Sequence, residues 1–307
     1  MSWKSLGDSN DIFFIDGNPV GTGCQVLDQL PGVFEEFPEH FMLDDKDIEK
    51  QLSGDRYKAD REQHAAYLIN QSRLGKCNTS AAAGGLMQVR ANDGAKHVAL
   101  CDNYLYYHIN GGRDGGSALI DGMQFVRDHG MAPRILDVDG KPYRIGDLVV
   151  RANELPANVR AVADQEAARF KSWEPFRVPT EFDRFKRTIA SAVARRFPIV
   201  HAWHVVQSSM RLDGRGYIVT GRGRGNHATL IHSGKWVGGS DLVHPDVKNS
   251  WGPTRDAIYG PTGTGWGDKG YGLMTMAQAF ACRAYHDFYV LVGAVADPKD
   301  SLLKRAA

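Results

Sequence analysis

Cys77, His227 and Asn249 have the side-chain chemistry and local surroundings of a nucleophile, a base and the group that orients that base. Cys77 follows Gln71-Ser72-Arg73-Leu74-Gly75-Lys76 and leads into Asn78-Thr79-Ser80-Ala81-Ala82-Ala83. That run predicts a helix extending to about Ala91 and stopped at Asn92-Asp93-Gly94. A thiol on the first turn of a helix meets unpaired backbone N–H groups and the positive end of the helix dipole. The setting favours the thiolate and predicts a pKa below the free value of about 8.5. Gln71 carries an amide that, turned back toward Cys77, would donate to an oxyanion beside the Cys77 N–H. His227 opens a β-rich run behind a glycine turn, in Gly225-Asn226-His227-Ala228-Thr229. Asn249 lies in Lys248-Asn249-Ser250-Trp251-Gly252. Its side-chain oxygen would accept the imidazole N–H and fix the tautomer, while the Trp251 indole shields that bond from water. Acyl transfer through a covalent thioester is the chemistry these residue types allow.

The elements that must position these side chains divide into a helical first half and a strand-rich second half. One helix is predicted from a cap at Ser117, with Leu119, Met123 and Val126 on one face and Gly130 as its stop. Another begins near Thr180, buries Phe182, Phe185, Ile189 and Val193, and ends before Pro198. Ile199–Val206, Gly216–Thr220, His227–His232 and Phe288–Val292 then read as short strands separated by glycine-rich turns. The glycine-dense stretch Tyr259–Gly272 reads as an ordered loop, because it carries Trp266 and Tyr271. Helices followed by strands predict an α+β fold in two lobes, with the cleft between them as the place for a site. The expected division is an N-terminal extension at 1–57, a helical lobe with the nucleophile at 58–150, a β-rich lobe with His227 and Asn249 at 151–298, and a tail at 299–307. Within the extension, helix is expected only near Asp44–Leu52.

Composition narrows the classes. The 307 residues are 42% hydrophobic and 24% charged, as in ordinary globular proteins. A formal net charge of +1 gives no electrostatic case for nucleic acid or an anionic membrane as partner. No apolar run reaches the roughly 18 residues of a membrane span, and the N-terminus lacks the apolar core of a secretory signal. A cytoplasmic or virion-associated protein is therefore expected. The four cysteines, at 24, 77, 101 and 282, form no C-x-x-C pair. This argues against structural zinc and against a disulfide framework, and no metal or organic cofactor is implied. Cys24, Cys101 and Cys282 read as structural thiols, and His201, His204 and His232 as packed side chains.

In type and order, Gln71-x(5)-Cys77, Asn226-His227-Ala228, Lys248-Asn249-Ser250-Trp251-Gly252 and Gly265-Trp266-Gly267-x-x-Gly270-Tyr271 resemble the motifs of the papain family of cysteine peptidases. The resemblance covers roughly residues 58–295 and lies nearest the divergent members encoded by bacteria and tailed phages. It implies a papain-like two-lobe fold with a helical left lobe, a β-barrel-like right lobe and the active site in the cleft between them. It further implies a Cys77–His227 pair, Asn249 as orienting residue, Gln71 in the oxyanion hole and a polypeptide substrate. Asn110–Leu119 looks like the family's glycine segment, where backbone pairs with an extended substrate; one of the pairs Gly111-Gly112 and Gly115-Gly116 is expected to fill that role and the other to be an insertion, and Trp251 borders the same cleft.

The chain departs from the family pattern at two positions near the nucleophile. Asn78 stands where an aromatic residue usually follows it, and Leu74 where a disulfide cysteine is common. Residues 1–57 are shorter than a typical propeptide of the family and could instead contact other subunits of an assembly. Two other readings stand beside peptidase: a non-enzymatic assembly protein that retains the fold, such as a virion component, and an amidase or transamidase acting on cell-wall peptides.

Overall fold

The computed structural model describes residues 12–15, 18–21, 23–25, 34–64, 69, 71, 74–110, 114–145, 155–172, 174–221, 225–251 and 266–295. Strands β1 (Ile12–Ile15) and β2 (Asn18–Gly21) pair antiparallel, and β3 (Cys24–Gln25) follows them. Next come α1 (Asp45–Leu52), α2 (Arg56–His64), α3 (Cys77–Asn92), α4 (Asp102–Ile109), β4 (Ser117–Ala118) and α5 (Leu119–Asp128). The middle of the chain holds β5 (Ile135–Val138), β6 (Lys141–Arg144), α6 (Ala157–Ala167), β7 (Lys171–Ser172), β8 (Phe176–Arg177) and α7 (Phe182–Ala194). The last part holds β9 (Ile199–Val205), β10 (Gly225–Gly238), β11 (Leu242–Lys248), β12 (Tyr271–Leu273), α8 (Met276–Ala281), β13 (Arg283–Val290) and β14 (Ala294–Val295).

Six strands form one sheet in the order β12-β11-β10-β9-β13-β8, with every pairing antiparallel. Successive side chains on a strand face opposite ways, and here both faces are covered. Ile199, Trp203 and Val205 of β9 join a core with Phe185, Ile189 and Val193 of α7. Val200 and Ala202 of the same strand join a second core with Ala81–Ala83 and Leu86 of α3 and Met123 and Val126 of α5. The small side chains at the start of α3 let it lie close against the sheet, which sets Cys77 beside β10.

The chain is thus α+β with a helical lobe and a sheet lobe, but the sheet is open and not the barrel expected. Its edge strands have two and three residues, too few to meet and close. Each edge is instead satisfied by irregular chain. Phe37 N–H donates to Arg177 O and Arg177 N–H donates to Glu35 O along β8. Ile218 N–H donates to Leu273 O and Leu273 N–H donates to Gly216 O along β12.

Other expectations shift in detail. Ser117 does not cap α5; it lies in β4, and Ala118 occupies the cap position. Gly216–Thr220 forms only isolated bridges at Tyr217 and Ile218. Asp44 caps α1 by accepting from Asp47 N–H at 2.8 Å. Phe37, Phe41, Ile48 and Leu52, inside the N-terminal stretch, are buried in the core shared with α7. Residues 299–307 lie outside the described residues. No helix among the described residues is long and apolar enough to cross a membrane.

Candidate active site

Cys77 is the first residue of α3 and is fully buried. Backbone groups of Ala228, Gly23, Asn78 and Cys77 itself lie near enough to the sulfur to draw its pKa down. Two of these belong to the helix N-terminus and one to the residue after His227. The expected low pKa is not realised in this arrangement. Burial pushes the thiol up to about 11, outweighing the backbone groups that pull it down.

His227 sits on β10 opposite Trp203 of β9 and is also fully buried. Its Nε2 lies 2.8 Å from Asn249 Oδ1. An amide oxygen only accepts, so Nε2 carries the proton and donates it, leaving Nδ1 with a bare lone pair. That Nδ1 is buried and has no hydrogen-bond partner among the described residues. The imidazole stacks on Trp251 at 3.9 Å between ring centroids and 13° between planes, and Trp251 meets Trp266 edge-on. Burial lowers His227 to about 3, against the opposing effect of Asn249. At neutral pH both thiol and imidazole are therefore uncharged in this covered arrangement.

Gln71 is fully buried and tied to the loop after β11. Its N–H donates to Ser250 O at 2.9 Å, its Oε1 accepts from Ser250 Oγ, and its Nε2 donates to Leu74 O at 3.0 Å. The Gln71 loop and the Asn249–Trp251 loop are thus one hydrogen-bonded unit. Gly116, with φ of +77°, donates its N–H to Tyr106 Oη at 3.1 Å. Gly115 is half-buried beside it. Gly111 and Gly112 fall outside the described residues. Trp251 lies buried beneath His227, where it shields the imidazole.

Several residues at the site carried no signal in the sequence. Asp102, fully buried at the start of α4, accepts from Lys76 Nζ at 2.8 Å, Arg134 Nη2 at 2.7 Å and Ser80 Oγ at 2.9 Å. It clamps residues on both sides of Cys77. Asn78 donates to Ala118 O at 2.6 Å and Ser117 Oγ at 3.1 Å, tying α3 to β4. Gly23, from the stretch expected as an N-terminal extension, lies near enough to the thiol to lower its pKa. None of these contacts has a local pattern, since each joins segments distant in the chain. His232, set aside as a packed side chain, pairs with Asp246 at 2.8 Å in a buried network with Arg61.

No family model and no curated relative matches the sequence. Solved structures do match. Xylellain, a cysteine protease from Xylella fastidiosa, aligns over 88% of this chain and 96% of its own, with a TM-score of 0.57 and 19% identity. A procathepsin B from Trypanosoma congolense aligns over 89% and 86%, with a TM-score of 0.58 and 12% identity. The cysteine protease and lectin-like domains of a surface layer associated protein from Clostridium difficile align over 76% and 50%, at 0.53 and 15%. The chain shares its fold with these cysteine proteases, and at these identities the likeness is one of fold alone.

Proposed function

We propose that this protein is a cysteine peptidase that hydrolyses peptide bonds with Cys77, His227 and Asn249. The observation that carries the reading is the bare, unpartnered Nδ1 of His227. Asn249 holds the other ring nitrogen, and the backbone of the neighbouring Ala228 lies near enough to the Cys77 sulfur to lower its pKa. In the uncovered site, His227 Nδ1 takes the thiol proton and the thiolate attacks the substrate carbonyl carbon. The carbonyl oxygen becomes an oxyanion, held by the Cys77 N–H at the head of α3 and by the Gln71 amide. Collapse breaks the C–N bond, and the imidazolium gives its proton to the departing amine. His227 then deprotonates a water, which attacks the thioester; the acid product leaves and the thiol is restored. Asn249 keeps the ring in one tautomer throughout, and Trp251 excludes water from that bond.

The test is labelling with the cysteine-directed epoxide E-64 over hours, long enough for a covered site to open, followed by peptide mapping. An adduct on Cys77 and not on Cys24, Cys101 or Cys282, absent in Cys77→Ala and His227→Ala, is expected. A folded, reduced protein that never labels at Cys77 would refute the reading.

A further inference from the structure

Two contacts already described hold the imidazole of His227. Asn249 Oδ1 accepts from its Nε2–H, and the Trp251 indole lies nearly parallel to the ring on one face. Stacked rings tolerate a range of offsets, and a single hydrogen bond acts as a pivot, so the ring keeps freedom within its own plane. A third ring takes up that freedom. Trp203 stands directly opposite His227 in the register of β9 and β10, and its indole meets the imidazole at 62°, with 6.2 Å between centroids. These values fall in the range of an edge-on aromatic pair.

Trp203 is itself pinned. Its Nε1–H donates to Thr229 Oγ1 at 3.1 Å. Thr229 follows His227 by two residues and so faces the same side of β10. An indole N–H only donates, so the hydroxyl accepts there and keeps its own proton for a bare ring nitrogen. His201, directly opposite Thr229 in register, has its Nε2 3.2 Å from that hydroxyl oxygen. The His201 ring packs at 4.8 Å against Phe288, which meets Phe185 of α7 edge-on. Trp203, Thr229 and His201 are all buried, so solvent replaces no bond lost among them. Burial, and then the nearby His227, lower His201 to about 3, and the row is neutral at pH 7.

We propose that Trp203 and Thr229 are positioning residues for His227: the Thr229 hydroxyl locks the Trp203 indole, and that indole keeps the imidazole at one setting in its plane. Their effect on catalysis rests on the peptidase reading above. His201 completes the bonding of the hydroxyl and, being neutral, adds no charge to oppose the imidazolium that His227 becomes. Trp203 belongs to the core shared with α7, while Cys77 and Ala228 belong to the core of α3. Changing the indole therefore removes no contact with a substrate held at the thiol. It alters the aim of the base and leaves binding as it was.

The test compares the full chain with Thr229→Val, which keeps the shape and deletes the hydroxyl, Thr229→Ser, which keeps the hydroxyl, and Trp203→Leu. Two quantities are measured: the saturation kinetics of E-64 addition to Cys77, and water exchange of the His227 Nε2–H by NMR of isotope-labelled histidine rings. In Thr229→Val the limiting rate of addition is expected to fall roughly two- to tenfold, with the half-saturating E-64 concentration unchanged and the Nε2–H exchanging faster. Trp203→Leu should lose as much or more, and Thr229→Ser should restore the wild-type values. A wild-type limiting rate and wild-type Nε2–H exchange in both Thr229→Val and Trp203→Leu would overturn the proposal. Equal losses in Thr229→Ser and Thr229→Val would overturn it too, because the hydroxyl would then not be the link. If the wild type itself forms no adduct, the peptidase reading fails alone, and Nε2–H exchange still decides whether Trp203 holds the ring. If Trp203→Leu fails to fold, the two Thr229 variants decide between these results.

Discussion

Asp102→Asn removes a carboxylate from between two buried cations at the start of the nucleophile helix. Lys76 is 4% exposed, Arg134 3% and Asp102 not at all, so none of the three is relieved by solvent. Taking one partner from a buried, hydrogen-bonded ion pair leaves uncompensated charge and costs about 3–5 kcal/mol. For a chain of this length, roughly 2 °C per kcal/mol turns that into a melting-temperature loss of roughly 6–10 °C. Equilibrium urea unfolding at pH 7 measures the free energy directly. The effect has a pH signature. Burial alone would raise the Asp102 carboxyl, but Lys76 and then Arg134 outweigh it and hold the group well below its ordinary 3.8. A depressed folded-state pKa contributes stability that is fully present above the unfolded value and is lost as pH falls toward the folded one. The gap between wild type and Asp102→Asn should therefore be full at pH 7 and shrink below about pH 4. Lys76 and Ser80 both hang on this carboxylate, so E-64 addition to Cys77 should also slow. A loss under 1 kcal/mol at pH 7, or a gap that stays constant down to pH 3, would refute the reasoning.

Asn249→Ala strips the partner from His227 Nε2 and leaves a buried donor unmade, a cost of about 1–3 kcal/mol that should appear as a roughly 5- to 150-fold fall in peptide turnover with KM little changed. Lys248 lies beside this site and burial brings its ammonium down to about 7. Its folded-state pKa is below the unfolded 10.5, so the unfolded chain binds more protons between these values and stability rises with pH across that window. Lys248→Met should flatten that rise in urea titrations and stabilise the protein at pH 7. Asn78→Phe, which restores an aromatic after the nucleophile, should destabilise by about 1–3 kcal/mol through overpacking. It should lower the melting temperature, because the ring meets α5 closely at Gly122 and the bond to Ala118 O is lost.

What the sequence determined by itself is local. Small residues after Cys77 and the Asn-Asp-Gly stop specify α3 to within a residue of its observed end, and the thiol's place on the first turn follows. Phe185, Ile189 and Val193 recur at helical spacing and specify α7. The roles expected of Asn249 and Trp251 came from the motif that resembles the papain family and not from the residue types alone; in the fold Asn249 Oδ1 lies 2.8 Å from His227 Nε2 and Trp251 stacks on the same ring. Strand β11 was missed because Pro245 interrupts its pattern, yet Pro245 sits opposite Gly234 beyond the span of β12, where no N–H is demanded on that side.

Tertiary structure decided the rest. Whether the sheet closes depends on how its edges are met, and residues 35–37 and 216–218 meet them with backbone groups that no periodicity reports. The protonation of the site was decided the same way. A helix terminus favours the thiolate, but desolvation by burial is larger, so the same residue titrates high. Ser117 looked like a helix cap because its side-chain chemistry suits one; its backbone instead pairs with β3, its N–H donating to Gly23 O. Local sequence fixes which groups a segment offers, and only the folded chain fixes which distant segment takes them up.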